Sequence, residues 1–115
     1  MEHIIAAADR SGFVTVKAGQ PFRPWGMNYG NAGRLMEDFW DTDWETLAGD
    51  FRELMALGAN VVRVHLQFGK FMRAPNEPNA GALKQLRRLL RLAEQTALRL
   101  DVTGLACYRP ADVPA

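Results

Sequence analysis

The sequence predicts an α/β chain in which an N-terminal hairpin leads into three parallel strands separated by two helices. Three observations carry that prediction. Two stretches place apolar residues at the 3.6-residue period, first Trp44, Leu47, Ala48, Phe51, Leu54 and Met55, then Leu83, Leu86, Leu89, Leu90, Ala93 and Ala97. Extended runs at 25–29, 58–66 and 98–103 bracket these stripes and return about every 36 residues, close to the size of a parallel βα repeat. Only Ala59 and Asn60 follow the glycine that ends the first helix, a connection as short as helix-to-strand links usually are.

Each element has its own local reason. Residues 13–17 alternate and are rich in branched and aromatic side chains, and Ala18-Gly19-Gln20-Pro21 then supplies turn chemistry before Phe22 and Arg23, so a hairpin is expected over 11–23. Pro24 keeps that second strand from a sheet centre, because proline has no amide to give a ladder, and Gly26 in the next strand permits a close backbone approach. A long loop follows over 30–41, ending in Phe39 and Trp40; loops of that length are more often functional than idle. Thr42-Asp43-Trp44-Glu45 fits a capping box, in which the threonine hydroxyl takes an orphan amide and the glutamate reaches back. Gly58 is expected to close that helix as a left-handed cap. Residues 68–78, with two prolines, read as a loop; Asn79 caps the second helix; and 104–115 reads as irregular.

Composition narrows the function classes. A chain of 115 residues with 48% apolar content forms one domain at most, with a modest core. The net charge is +1, from 14 basic and 13 acidic residues, so no global field draws in nucleic acid or an anionic membrane, and neither is expected as a partner. Lys84, Arg87, Arg88 and Arg91 recur at helical spacing with no aromatic residues between them, which describes a solvated helix face and not a nucleic-acid patch. The single Cys107 excludes an intrachain disulfide and a multi-cysteine metal site, and it reads as a packed small residue. The two histidines, His3 and His65, lie too far apart in type of segment for a metal pair, His3 being expected in a frayed end, so no metal and no cofactor is predicted. The apolar run at 4–8 is too short for a signal peptide or a membrane span and leaves localisation open.

The central run Gly58-Ala59-Asn60-Val61-Val62-Arg63-Val64-His65-Leu66 carries the chemistry. On a strand, Val61, Arg63 and His65 share one face, and Asn60, Val62, Val64 and Leu66 share the other. A guanidinium in a run that otherwise reads as buried is costly unless a carboxylate meets it, so Arg63 needs a partner.

Pro21-Phe22, Gly26-Met27-Asn28-Tyr29 and Leu57-Gly58-Ala59-Asn60-Val61-Val62-Arg63-Val64 resemble the opening of clan A glycoside hydrolases, particularly the cellulase- and mannanase-like family five. There an extended segment with Gly-x-Asn leads into the first barrel strand, and an "lGaN-vvR" run brings an arginine onto the second. Asp101-Val102-Thr103-Gly104-Leu105 resembles the third strand, and the likeness covers most of 11–113. A (βα)8 barrel needs eight strands and roughly 250 residues, so the resemblance implies a partial barrel, with residues 1–115 as its N-terminal part, the hairpin at 11–23 and the first three strands with two helices over 24–115.

That resemblance also implies a retaining glycosidase acting on β-linked polysaccharide or oligosaccharide, with an acid/base glutamate closing strand four, a nucleophile closing strand seven, and Arg63 supporting the nucleophile carboxylate. Strands four and seven fall outside these residues, so the chain alone is expected to be inactive and to need the remaining barrel polypeptide, or self-association, to cover its open sheet. Asn76-Glu77-Pro78 spells the acid/base motif but follows Arg73-Ala74-Pro75 too soon after the second strand, and reads as coincidence. At the barrel mouth, Asn28, Tyr29, Trp40, His65 and Tyr108 are the candidates for binding carbohydrate: the polar groups by hydrogen bonds, the rings by stacking. Trp25 is a weaker platform candidate, and Trp44 belongs to the helix stripe. For Arg63 the plain structural alternative is a salt bridge to Asp101, and for the whole chain it is a small standalone α/β module that binds without turnover.

Overall fold

Along the chain run β1 (Ile4–Ala6), β2 (Phe13–Thr15), β3 (Pro21–Phe22), β4 (Gly26–Asn28), a 3-10 turn (Phe39–Asp41), α1 (Trp44–Ala56), β5 (Val61–Gln67), α2 (Phe68–Phe71), β6 (Met72–Ala74), β7 (Glu77–Pro78), α3 (Ala80–Gln95) and β8 (Arg99–Ala106). This computed structural model describes residues 1–30, 33, 39–41, 43–106, 110 and 113. β4, β5 and β8 form a parallel sheet in that spatial order, with α1 joining the first pair and α3 the second. The result is an α/β sheet of two complete βα units and a third strand.

The helices cover one face. Val62 and Val64 of β5 are fully buried in the same cluster as Leu47, Phe51 and Leu54 of α1 and Ala82, Leu89, Leu92 and Ala93 of α3. Amphipathicity alone places these stripes correctly at their centres. At their margins it does not: Met55, Leu83 and Leu90, expected in the core, are 45%, 45% and 50% exposed. Leu90 follows buried Leu89 by one residue, about 100° round the helix, which carries it past the edge of the sheet it would pack on.

Caps mark the helix ends. The N-cap of α1 is Asp43, whose carboxylate accepts from the Thr46 amide at 2.9 Å and from its hydroxyl at 3.2 Å. The capping box expected to start at Thr42 is therefore displaced by one residue, because an aspartate already stands where its side chain reaches the third amide of the turn. Those bonds hold the Asp43 carboxyl below its ordinary range, the Thr46 amide contributing most. Gly58, at φ +88°, closes α1 as expected. Asn79 caps α3, accepting from the Gly81 amide at 3.0 Å. The positive φ of Ala97, +54°, follows the end of α3, so this residue serves as a left-handed terminator and not as part of the core stripe.

Two departures come from the N-terminal half and the 68–78 loop. The hairpin is real, with β2 antiparallel to β3, but β1 adds a third strand, pairing Ile4 with Thr15 and Ala6 with Phe13. Residue His3, expected to fray, accepts from the Val16 amide through its carbonyl at 3.0 Å. Glu2 secures the same corner by accepting from the amides of Lys17 and Ala18. Residues 68–78 fold into α2 and a small hairpin of β6 with β7 instead of an open loop. β8 also runs on to Ala106, past the expected end at Thr103.

Between β3 and β4 the chain must cross Pro24, which cannot donate to a ladder. Asn60 does so in its place: its side-chain oxygen accepts from the Trp25 amide at 2.8 Å and its side-chain nitrogen donates to the Arg23 carbonyl at 2.9 Å. Its own amide donates to the Trp25 carbonyl at 2.9 Å. One side chain thus supplies the pairing that proline removes.

Candidate active-site face

In a parallel pair, residues in register point to the same side. The register aligns Asn28 with Arg63 and Arg63 with Asp101, and one pleat further on it aligns His65 with Thr103. All of these alternate away from Val62 and Val64, so they lie on the face opposite the helices. The amino end of that face is closed: the Arg99 guanidinium lies 4.5 Å from the centre of the Phe22 ring and donates to the Glu2 carbonyl at 3.2 Å. β1, β2 and β3 therefore sit under the starts of the parallel strands. The polar row lies above them, toward the carboxyl ends.

Arg63 is on the expected side of the sheet but is not buried in this chain; its side chain is 43% exposed. Its Nε donates to Thr103 Oγ1 at 3.0 Å, while Asp101 Oδ2 stands 3.9 Å away. The carboxylate anticipated as the partner of a buried arginine is thus at best a loose one, and Asp101 is itself 62% exposed. A cleft of about 330 Å3 opens over this row, lined by Trp25, Asn28, Val61, Arg63 and Asp101 among others. Asn28 is exposed at the end of β4 and free to meet a ligand there.

Two of the three aromatic candidates, Tyr29 and Trp40, are buried in this structure. Tyr29 is only 4% exposed; its ring meets Phe39 at 5.0 Å and Phe51 at 5.4 Å edge-on, and its hydroxyl donates to Asp50 at 2.7 Å. Trp40 is 5% exposed, stacked on Phe39 at 4.4 Å, and its indole donates to the His65 carbonyl at 2.9 Å. Neither ring offers a face to a sugar. The physical reason is that β4 is only three residues long, so the pleat turns Tyr29 toward the helices, and the 3-10 turn folds Phe39 and Trp40 in beside it. Here the aromatic rings pack into the core beside Phe51 and Phe71.

His65 is fully buried, one pleat above Arg63, so in this chain its ring is withdrawn from solvent. Tyr108, the remaining candidate, and Cys107 lie outside the described residues. Glu77 lies in β7, paired antiparallel with β6, and faces Arg73 across 3.8 Å as an exposed surface pair. The Asn76-Glu77-Pro78 triplet is therefore part of a small hairpin and does not end a parallel strand. Trp25 is 55% exposed just before β4, in the lining of the cleft it shares with Asn28 and Arg63. Trp44 packs on the core with Arg88 4.1 Å over its ring. Among the described residues no three of His, Cys, Asp or Glu converge on a point, and no helix is long and apolar enough to cross a membrane.

Sequence reading missed Thr103 and Asn60. Thr103 could have been found from its spacing, two residues after Asp101 and on the arginine's side of a parallel neighbour. Asn60, read only as a back-face position, needed the detour around Pro24 to become visible.

No protein-family model matches the sequence, and a search of curated proteins finds no match. Solved structures do match. The exo-beta-1,4-mannosidase Op5Man5 from Opitutaceae bacterium strain TAV5 superposes with a TM-score of 0.73 and 28% identity, over 81% of this chain and 16% of that one. A GH5_18 enzyme from Bifidobacterium longum subsp. infantis superposes at 0.61 with 25% identity, over 70% of this chain and 19% of that one. The chain resembles part of a family 5 glycoside hydrolase. A GH5_18 variant from Bifidobacterium longum subsp. longum ATCC 55813, solved in complex with Manb1-4GlcNAc, shares the fold at a TM-score of 0.68 with 20% identity, over 76% of this chain and 21% of that one. The chain thus spans 16% to 21% of the length of these enzymes, and its α/β arrangement around a parallel sheet is consistent with part of a (βα) barrel.

Proposed function

We propose that residues 1–115 supply the first three strands and two helices of a retaining glycoside hydrolase barrel acting on β-linked oligosaccharide or polysaccharide, with β-1,4-mannosides as the substrate class to test first. The observation that carries the reading is the position of Arg63: a half-exposed guanidinium on the face of a parallel sheet opposite the helices, in a fold similar to that of family 5 enzymes. The likeness to an exo-beta-1,4-mannosidase favours a mannoside over a glucan.

In this reading two carboxylates come from polypeptide outside these residues. One attacks the anomeric carbon while the other, as an acid, protonates the departing glycosidic oxygen; water, deprotonated by that second group, then releases the sugar with its configuration retained. Arg63 contacts the attacking carboxylate. Its positive charge keeps that group ionised and nucleophilic, because an opposite charge within a few ångströms favours the charged form. Asn28, in the same row, donates to a sugar hydroxyl or to the same carboxylate. Apolar groups stand exposed at both flanks of the sheet, Met27 and Leu57 beside β4 and Leu90 and Val102 toward β8. Neighbouring barrel polypeptide is the proposed partner for both.

The test is hydrolysis of a β-1,4-manno-oligosaccharide by the enzyme that carries this chain, followed by NMR of the fresh product anomer. Retention of configuration and a fall in kcat of about 100-fold or more in Arg63→Lys, with KM little changed, are expected, since an ammonium cannot make the planar two-pronged contact. Near-normal turnover of Arg63→Lys, or an inverted product, would remove the reading. The 115-residue chain by itself should release no sugar.

A further inference from the structure

We infer that Thr103 is a positioning residue, which captures Arg63 through Nε and aims the guanidinium toward the carboxyl end of the parallel strands. Its catalytic consequence rests on the hydrolase reading above; the aiming itself does not. The register partner of Arg63 is Asp101, an anion directly across the ladder. Coulomb attraction alone would draw the guanidinium sideways onto it. Instead Nε is 3.0 Å from the Thr103 hydroxyl and 3.9 Å from Asp101, beyond hydrogen-bond range. Thr103 stands two residues beyond Asp101, about 7 Å further up the strand, so the side chain leans toward the end where barrel chemistry gathers.

Two further features follow from this geometry. Using Nε on a neutral hydroxyl leaves the two terminal nitrogens of the fork for a second contact, and among the described residues they make no hydrogen bond. Asp101, at 3.9 Å and itself 62% exposed, is a loose ion-pair partner without a hydrogen bond to Nε, so the terminal nitrogens stay open to a carboxylate that can meet them in the planar two-pronged geometry. Immediately after Thr103 the pairing slips: His65 aligns with Thr103 but Leu66 aligns with Leu105, so Gly104 is an extra residue in β8. A bulge there ends the regular pleat just past the hydroxyl, and no clash opposes it, since a side chain at Gly104 would meet nothing.

The experiment reads Arg63 directly. In the 115-residue protein labelled with nitrogen-15, the Arg63 Nε–H signal should exchange slowly. Thr103→Val, which keeps the shape and removes the acceptor, should speed that exchange about tenfold, which corresponds to loss of about 1.4 kcal/mol of protection. Thr103→Ser should restore protection and Asp101→Asn should leave it unchanged. If the valine variant loses its dispersed amide spectrum, Thr103→Ala replaces it, with the same expectation. Unchanged protection in the variant lacking the hydroxyl, or loss of protection in Asp101→Asn alone, would overturn the inference. In the complete enzyme, Thr103→Val should lower kcat about tenfold with KM held, move the acidic limb of the kcat/KM profile upward, and recover in Thr103→Ser. Should the enzyme cleave mannosides with Thr103→Val fully active, the positioning role is wrong. Should the wild type cleave no glycoside while the NMR pattern holds, the hydrolase reading fails and the aiming of Arg63 by Thr103 stands.

Discussion

Replacing Gly26 with alanine is expected to detach β4 from the sheet. A Cβ at that position would lie 1.6 Å from the Val61 carbonyl oxygen and 2.7 Å from its carbon, where real contacts essentially never fall below 3.0 Å. Relieving the clash takes about 1.4 Å of separation, and both colliding groups are backbone, so no side chain can swing aside. Moving two strands apart by that much stretches a ladder bond of 2.9 Å, such as Tyr29 amide to Arg63 carbonyl or Asn60 amide to Trp25 carbonyl, beyond 4 Å. Three to four such bonds at about 1 kcal/mol each, together with partial exposure of Tyr29 from its cluster with Phe39 and Phe51, amount to about 4–6 kcal/mol. That is a large share of the roughly 5–15 kcal/mol of a typical domain. Urea unfolding monitored by near-ultraviolet circular dichroism measures it, with Gly12→Ala as control, since nothing lies near a Cβ there. A Gly26→Ala midpoint within error of wild type would refute the reasoning, because it would mean that the strands do not approach as described.

Other expectations follow from the same physics. Asn60→Ala removes both bonds that bridge Pro24 and should cost about 2 kcal/mol in urea unfolding, with Asn60→Asp recovering part, since it keeps the acceptor for Trp25 but loses the donor to Arg23. Ala97→Gly should stabilise by about 0.5–1 kcal/mol, because a left-handed φ of +54° strains alanine and not glycine; no gain in the denaturation midpoint would count against a left-handed terminus. Phe51→Ala, at a fully buried site, should cost about 3–5 kcal/mol by the same assay. Asp43 and Glu2 contribute stability as carboxylates with lowered pKa values, held down chiefly by the Thr46 and Ala18 amides. Their contribution is complete above the ordinary carboxylate range and is lost as pH falls through the lowered folded-state values. Asp43→Asn should therefore flatten the acid side of a stability-against-pH curve, and an unchanged curve would remove the cap's electrostatic role.

What the sequence determined by itself is whatever depends on period and on single-residue backbone chemistry. The helix stripes, the Gly58 cap, the Asn79 cap, the close approach at Gly26 and the strand faces of β5 are all legible because spacing along one element decides them. The orientation of Arg63 away from the helices was readable for the same reason. Tertiary structure alone decided how strongly each position is covered. Tyr29 and Trp40 carry the composition of a sugar platform, yet they fill the space between α1, β5 and the 3-10 turn, since burying a large ring on the nearest apolar surface outweighs leaving it exposed. Residues Leu83, Leu90 and Met55 lie at the other extreme, apolar and exposed, because a stripe read on one helix says nothing about the width of the surface opposite it. β1 was unreadable because three residues carry too little period, and its partner strand sits across a turn. The hydroxyl that holds Arg63 was hidden for a related reason: a contact between strands 40 residues apart depends on register, and register is set where the chains meet.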